Sequence, residues 1–374
     1  MSLLKSKNKD TIIQENQEEC ISLIENSFLK DCFNEDVTDV SYNGETFFAQ
    51  DNIKGRYKID LLISSDEVYL LIKKIANFML QPFSTTNPCL NISFGDYRLN
   101  AIHPSLARNN NKKVITFSLR KITTSLKIKK NDENLCPIDV HNLLDALMKS
   151  YQSILISGQT GAGKTEFQKY LVSLMNDFDR LILIEESYET HIKELFPNMD
   201  VTNWVIDNSL ELSSLIKMAL RNNPDWLIVT EVKNTEAYDF IQASMTGHSA
   251  ITTIHSDSAL YSLDRLCGLC KKSFDVDENL LLSNMAKHIK IGVHLEKSYN
   301  LIDKKYVRQI TEIVEYIPLE KSYKANPIFK LVKLEGKQKY VYNQISKNLK
   351  EIFLKHNQDL KVISKFLKGE KDEN

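Results

Sequence analysis

Between residues 150 and 260 the apolar residues come in short, unbroken runs. They are Ile154-Leu155-Ile156, Leu181-Ile182-Leu183-Ile184, Trp226-Leu227-Ile228-Val229 and the stretch 250–254. After the first run the period changes. Phe167, Tyr170, Leu171, Leu174 and Met175 fall at i, i+3, i+4, i+7 and i+8, one face of a helix. Continuous apolar strands alternating with helices describe a parallel sheet covered on both faces. The pattern therefore predicts an α/β domain from about Ile138 to the end of the chain. Within it, strand-like segments follow at Ile291–Leu295, Tyr306–Ile317 and Pro327–Lys333. The stretch 345–367 reads as helical, with Leu349, Ile352, Phe353, Leu360, Ile363 and Leu367 apolar. Whether it packs on the domain or docks a partner is open from the pattern.

The N-terminal part reads differently. Residues 1–17 are polar and aperiodic, which predicts a frayed tail. Residues 18–121 predict a smaller α+β domain. Asn43-Gly44 is a hairpin turn signal between Val40–Tyr42 and Thr46–Ala49. A helix capped by Ser65 or Asp66 carries Val68, Leu71, Ile75 and Phe78 on one face. Several strands fill Leu90–Leu119, broken by the polar loop Arg108–Lys113. Residues 122–137, with Lys127, Lys129, Lys130 and Pro137, have the composition of an interdomain linker.

Composition narrows the classes. The chain has 374 residues, 42% hydrophobic and 26% charged, with a formal net charge of −1. That is a globular composition without a global field to recruit nucleic acid. No apolar run is long enough for a membrane span, and the N-terminus, with Lys5, Lys7 and Lys9, lacks the apolar core of a signal peptide. A cytosolic location and reduced thiols are expected for the six scattered cysteines. Cys267 and Cys270 share a helical face with Leu260 and Leu263, so they read as buried core residues rather than half of a zinc site.

The chemistry starts where the first apolar run ends. Gly158-Gln159-Thr160-Gly161-Ala162-Gly163-Lys164-Thr165 has the spacing G-x-x-x-x-G-K-[ST] between a strand and a helix, a phosphate-binding loop. Its backbone N–H groups and the helix N-terminus suit phosphate oxygens. Lys164 is expected at the β- and γ-phosphates of ATP, Thr165 at a Mg²⁺ ion, and Glu166 beside the nucleotide. The other apolar runs end in Glu185-Glu186, Glu231 and His255. In a parallel sheet these positions gather at the carboxyl edge, around the loop. Glu231 is placed to hold Mg²⁺, and one of Glu185 or Glu186 to orient the attacking water. His255 could sense the γ-phosphate. Arg98 and Arg120 sit in strand-like surroundings, where an edge arginine is ordinarily just solvated.

These residues also carry a resemblance. Leu220-Arg221-Asn222-Asn223-Pro224-Asp225-Trp226 through Glu231-Val232-Lys233 resembles the Walker B segment of secretion ATPases. Leu183-Ile184-Glu185-Glu186-Ser187-Tyr188-Glu189 resembles their acidic box, and Thr246-Gly247-His248 with Thr252-Thr253-Ile254-His255 their histidine box. The chain is similar to the ATPases of type II and type IV secretion and pilus assembly, most of all the conjugation and tight-adherence-pilus branch. More weakly, Val37 to Gly44, the segments around Pro88, Arg98 and Arg120, and Arg308–Ile313 resemble that branch. The likeness covers about residues 35–335 and lacks the four-cysteine zinc module of the type II exporters.

The resemblance implies a RecA-like ATPase domain behind a smaller N-terminal domain, in a homohexamer at the cytoplasmic face of the membrane, with platform proteins as partners. It implies that Arg120 and Arg98 contact nucleotide phosphates, that His248 belongs to the site, that Glu185 handles the attacking water, and that 122–137 is a hinge. Three residues depart from the family pattern: Glu186 for Asp, Thr230 for Gly and Lys233 for Arg. They leave two readings, an active motor or a nucleotide-binding regulatory ring with little hydrolysis. Near-neutral charge speaks against a third, a motor acting directly on DNA.

Overall fold

Each of the four apolar runs between residues 150 and 260 is a strand, and the N-terminal part folds on its own sheet. The computed structural model describes residues 9–122, 124–206, 210–272, 274–300, 303–334 and 337–369. Two compact units emerge, one of residues 1–124 with 299–306, the other of 125–298 with 307–374. Residues 1–8 of the expected tail and Thr123 of the expected linker lie outside the described residues.

The first unit runs α1 (Lys9–Glu25), β1 (Val37–Tyr42), β2 (Phe47–Asp51), β3 (Gly55–Ile59), α2 (Ser65–Phe78), β4 (Cys89–Phe94) and β5 (Tyr97–Ile102). A two-residue ribbon, β6 (Arg108–Asn109) and β7 (Lys112–Lys113), precedes β8 (Thr116–Lys121). The longer strands form an antiparallel sheet in the order β3-β2-β1-β8-β5-β4. Leu90, Ile92 and Phe94 of β4 and Tyr97, Leu99 and Ala101 of β5 alternate into its core. The β1–β2 turn uses Gly44 at φ +96°, and the Asn43 side-chain oxygen accepts from the N–H groups of Glu45 and Thr46 at 3.0 and 2.8 Å.

Three expectations need correction here. From Lys9 onward the expected tail is helical, because Cys20 and Ile24 of α1 are buried in the unit's core and the polar residues before them extend the helix. The cap of α2 is Ser64, one residue earlier than expected. Its Oγ accepts from Glu67 N–H at 3.2 Å, and the Glu67 carboxylate accepts from Ser64 N–H at 3.1 Å. The expected linker belongs to the second unit from Ser125 on, since Leu135 and Cys136 are buried there and Leu135 C=O accepts from Ile310 N–H at 2.9 Å.

The second unit runs α3 (Ile138–Lys149), β9 (Ile154–Ser157), α4 (Lys164–Val172), β10 (Arg180–Glu185), α5 (Ile192–Leu195), β11 (Asp200–Val205), α6 (Leu212–Leu220), β12 (Trp226–Val229) and α7 (Glu236–Met245). It continues with β13 (Ser249–Ile254), α8 (Ser262–Cys270), α9 (Glu278–His288), β14 (Ile291–Asn300), β15 (Lys305–Pro318), β16 (Tyr323–Leu334) and β17 (Lys337–Tyr342). The sheet order is β11-β10-β12-β13-β9-β14-β15-β16-β17. From β11 to β14 the pairs are parallel, and β15-β16-β17 are antiparallel. Every residue of β9, β12 and β13 is buried. Leu181 and Leu183 point into one core and Ile182 and Ile184 into the other, so helices cover both faces.

The C-terminal stretch settles on the same unit. It forms α10 (Lys347–Lys355), a 3₁₀ turn at Leu360–Ile363, and α11 (Ser364–Lys368), with Leu349, Phe353, Ile363 and Phe366 buried in the first of these cores. Cys267 and Cys270 are buried free thiols, and burial raises their pKa to about 11 and about 12. No helix among the described residues is long and apolar enough to cross a membrane.

The capping box sets a stability test. Ser64→Ala should cost about 1 kcal/mol, measured as a lower urea midpoint, and Ser64→Thr should restore most of it. An unchanged midpoint in Ser64→Ala would show that the cap contributes nothing.

Candidate nucleotide-binding site

The chain leaves β9 at Gly158 and enters α4 at Lys164. A Cβ on Gly158 would stand 2.4 Å from the backbone oxygen of Leu295, so only glycine allows this exit from the sheet. Ala162 N–H closes a tight turn on Gln159 C=O at 3.1 Å, with the Ala162 methyl buried. Gly163, at φ +93°, occupies the helix N-cap without any side chain over the first turn. The loop thus offers N–H groups and a helix N-terminus to an anion. Thr160 and Gly161 are exposed on its lip, and Thr165 sits half-buried in the first turn.

Lys164 is folded back on the loop. Its Nζ donates to Gly158 C=O at 2.7 Å and Gln159 C=O at 3.2 Å. Burial lowers its pKa, and the nearby Glu231 charge opposes that. On the other side Arg308, from β15, donates through Nε to Gly161 C=O at 2.9 Å. Glu166 pairs with Lys169 at 2.9 Å through Oε1, while its Oε2 is buried without a hydrogen-bond partner.

Because β10, β12 and β13 are parallel to β9, their carboxyl ends reach the same edge. Glu185 closes β10 and is only 2% exposed. Its carboxylate accepts from Asn203 Nδ2 at 2.7 Å, from Glu189 and Thr190 N–H at 3.1 Å each, and from Thr190 Oγ1 at 3.3 Å. Burial pushes its pKa above the ordinary carboxylate value, against those four donors. Glu186 turns outward. Lys233 Nζ donates to both its oxygens at 2.8 Å and lies 3.2 Å from Glu231 Oε2. Burial disfavours the Lys233 charge, but Glu186 and Glu231 prevail and its pKa is raised. His255 Nε2 stands 2.9 Å from Glu231 Oε1, off the hydrogen-bond direction, so that buried oxygen has no donor. Glu186, Lys233, Glu231 and His255 form one row across three strand ends.

Facing the loop, a cavity of about 740 Å³ is lined by Gly158, Gln159 and Thr160 on one side and by His255, Asp257 and Arg265 on the other. Arg265, from α8, and Arg308 are the cations that sequence reasoning passed over. Arg308 opens the segment that resembles a family strand, yet nothing local says that β15 returns to the loop.

The remaining expected site residues are Arg98, Arg120 and His248. Arg98 and Arg120 face each other across β5 and β8 of the first unit, and Arg120 Nε donates to Asp39 at 2.8 Å. The expectation that His248 shares the site with His255 does not hold within this unit. His248 immediately precedes β13 and His255 follows it, so the strand separates them and His248 lies at the amino edge.

A phosphate loop leaving a RecA-like sheet, with acidic strand ends beside it, defines a P-loop protein. Residues 104–322 match the family model described as type II/IV secretion system protein. The chain belongs to this family of secretion ATPases. It is 34% identical over 291 residues to an uncharacterized protein of Bacillus anthracis, a match spanning 75% of this chain and 65% of that relative's length. It is 26% identical over 290 residues to the type IV secretion system protein VirB11 of Bartonella henselae, 66% of this chain and 79% of that one. The fold is similar to the ATPase DotB of Legionella pneumophila, with TM-score 0.56 and 18% identity over 97% of this chain and 89% of that one.

Glu185 gives a pH test. A carboxyl whose folded pKa lies above its unfolded value penalises folding when ionised. The penalty is complete above the folded pKa and vanishes below the unfolded one. Glu185→Gln removes it, at the pH-independent cost of mismatched donors. The difference in melting temperature, variant minus wild type, should therefore rise as pH goes from acid to neutral. A flat difference would show that Glu185 is not held above its unfolded pKa.

Proposed function

We propose that the chain is a Mg²⁺-dependent ATP-hydrolysing motor, working as a homohexameric ring at the cytoplasmic face of a membrane to drive secretion, conjugative transfer or pilus assembly. The observation that supports this most is the convergence at one sheet edge of Lys164, the loop N–H groups and the row Glu186–Lys233–Glu231–His255. The family match and the relatives named for type IV secretion support the transport role. The ring and the membrane face follow from the resemblance.

In this reading Lys164 leaves the carbonyls of Gly158 and Gln159 to neutralise the nucleotide phosphates. Arg308 steadies the loop by holding Gly161. Glu231 suits a cation, since its buried Oε1 has no hydrogen-bond donor. Among the described residues no group of three His, Cys, Asp or Glu could hold a metal unaided. Thr165 and Glu231 would therefore share the ion with phosphate oxygens and water. When bound, Mg²⁺ neutralises the charge on the transferred phosphoryl group. His255, beside Glu231, is placed to feel a change of charge there.

The second reading, a regulatory ring subunit that binds nucleotide and scarcely hydrolyses it, is favoured by one observation. The Glu185 carboxylate is already engaged by four donors. One experiment separates the readings: Mg²⁺-dependent ATP turnover of the chain and of Lys164→Ala, with mass by light scattering. The motor reading expects turnover from a particle of about six protomer masses. It also expects Lys164→Ala to lower that turnover by orders of magnitude, since phosphoryl transfer rests on positioning and charge. Equal turnover in the variant would remove the loop from the reaction, and tight binding without turnover would select the regulatory ring.

A further inference from the structure

The strands β9 and β13 that end at the phosphate loop begin at a second cavity, of about 280 Å³. Ser150 to Ser153, just before β9, line one side of it. Ser244 of α7, the segment leading into β13, the end of α9 with Lys290 just beyond it, and the end of α10 supply the rest. Lys287, Lys290, Lys355, His248, His288 and His356 all line it, and none of its lining side chains among the described residues is acidic.

The lysines are poorly compensated. Lys290 Nζ donates to the Lys287 carbonyl at 2.8 Å, and Lys287 Nζ to Asn284 Oδ1 at 3.3 Å; both acceptors are neutral. Burial lowers the Lys290 pKa against the opposing charge of Glu315. That carboxylate is already engaged by Ser346 N–H at 2.8 Å, by the Ser346 hydroxyl and by Asn326 Nδ2 at 3.3 Å. Burial, then Lys290 and Lys287, hold the His288 pKa below the usual imidazole range. An independent observation points the same way. Ser150 is 1% exposed, lines the cavity, and its Oγ has no hydrogen-bond partner. A buried hydroxyl without a partner is costly unless something accepts from it or donates to it.

We propose that this cavity is a second anion site that takes a phosphate group, distinct from the phosphate loop. Ammonium groups, imidazoles and a hydroxyl are donors suited to phosphate oxygens. The cavity is large enough for a phosphate group together with several waters. Exposed Lys287 and Lys355 leave the mouth open to a phosphate carried on a larger body. The same chemistry can come from a free phosphate compound or from a phospholipid headgroup.

The test uses the full chain carrying Lys164→Ala, so that the phosphate loop contributes little. One arm titrates inorganic phosphate by calorimetry. The other cosediments the chain with phosphatidylcholine vesicles, with and without phosphatidylglycerol. Adding Lys287→Gln, Lys290→Gln and Lys355→Gln should weaken binding about tenfold or more, and Ser150→Ala alone should weaken it several-fold. Loss in the phosphate arm identifies a free ligand, and loss confined to phosphatidylglycerol vesicles identifies a headgroup. Should the triple variant lose its circular dichroism, Lys355→Gln, exposed on α10, and Ser150→Ala carry the comparison. Absence of binding in both arms, or binding that folded variants retain, overturns the proposal.

Discussion

Two-sided burial of β9 is the constraint on which the candidate site depends. Ile154 and Ile156 face one core and Leu155 the other, so a rotation or one-residue slip would exchange side chains between two separately packed cores. Its neighbours β13 and β14 are then fixed in register, with Ser157 beside both Ile254 and His294. Ser157 and His294 are buried, and their side chains meet at 2.8 Å. Burial lowers the His294 pKa, against the charges of Glu296, Glu312 and Asp257. The next residue, Gly158, runs against the Leu295 carbonyl. The direction of the loop is thus set by backbone packing, and its side chains are left for ligand chemistry.

The charges at the carboxyl edge divide into two kinds. The Glu186–Lys233–Glu231 pairs involve side chains 24% to 51% exposed, and such pairs contribute about 0–1 kcal/mol after solvent screening. They do little for the fold and much for placement, because one ammonium group orders two acids from different strands. Arginine's planar fork is not needed for this: Lys233 spans three carboxylate oxygens as a compact charge. Glu185 is the opposite case. It is inside, its donors are fixed, and it ties the Glu189–Thr190 backbone to β11 through Asn203.

The parallel sheet and its loop were legible in the sequence because both rest on local signals, an unbroken apolar run and a fixed glycine spacing. Strand direction then placed Glu185, Glu231 and His255 together without further information. The same argument, applied to His248, separates it from His255, yet a motif read as one box hides the strand inside it. The linker's packing escapes the pattern because Leu126, Ile128, Leu135 and Cys136 are too scattered for a period; Ile128 packs against the second unit's core, and Leu135 and Cys136 are buried in it. Arg308 and Arg265 reach the loop's surroundings from strands and helices far along the chain. Such contacts are properties of topology and leave no local trace. Ser64 was overlooked for a different reason: the next two residues are also good caps, and only the Glu67 partner three places on selects among them.

In a sheet of this kind the connecting helices run antiparallel to the strands, which gives the two edges opposite character. Helix N-termini gather at the carboxyl edge, and α4 presents its N–H groups to the loop. Helix C-termini gather at the amino edge, where α9 ends in Lys287 and His288 and α10 in Lys355. Cations at those positions are favoured by the helix carbonyls, which explains how the second cavity acquired its charge. Those helix ends present carbonyls rather than N–H groups to an anion there. At the phosphate loop, N–H groups and one lysine are on offer to an anion. At the amino edge no helix N-terminus among the described residues contributes, so in the proposed site several lysines and a buried hydroxyl take the place of what a helix N-terminus and one lysine offer at the other end.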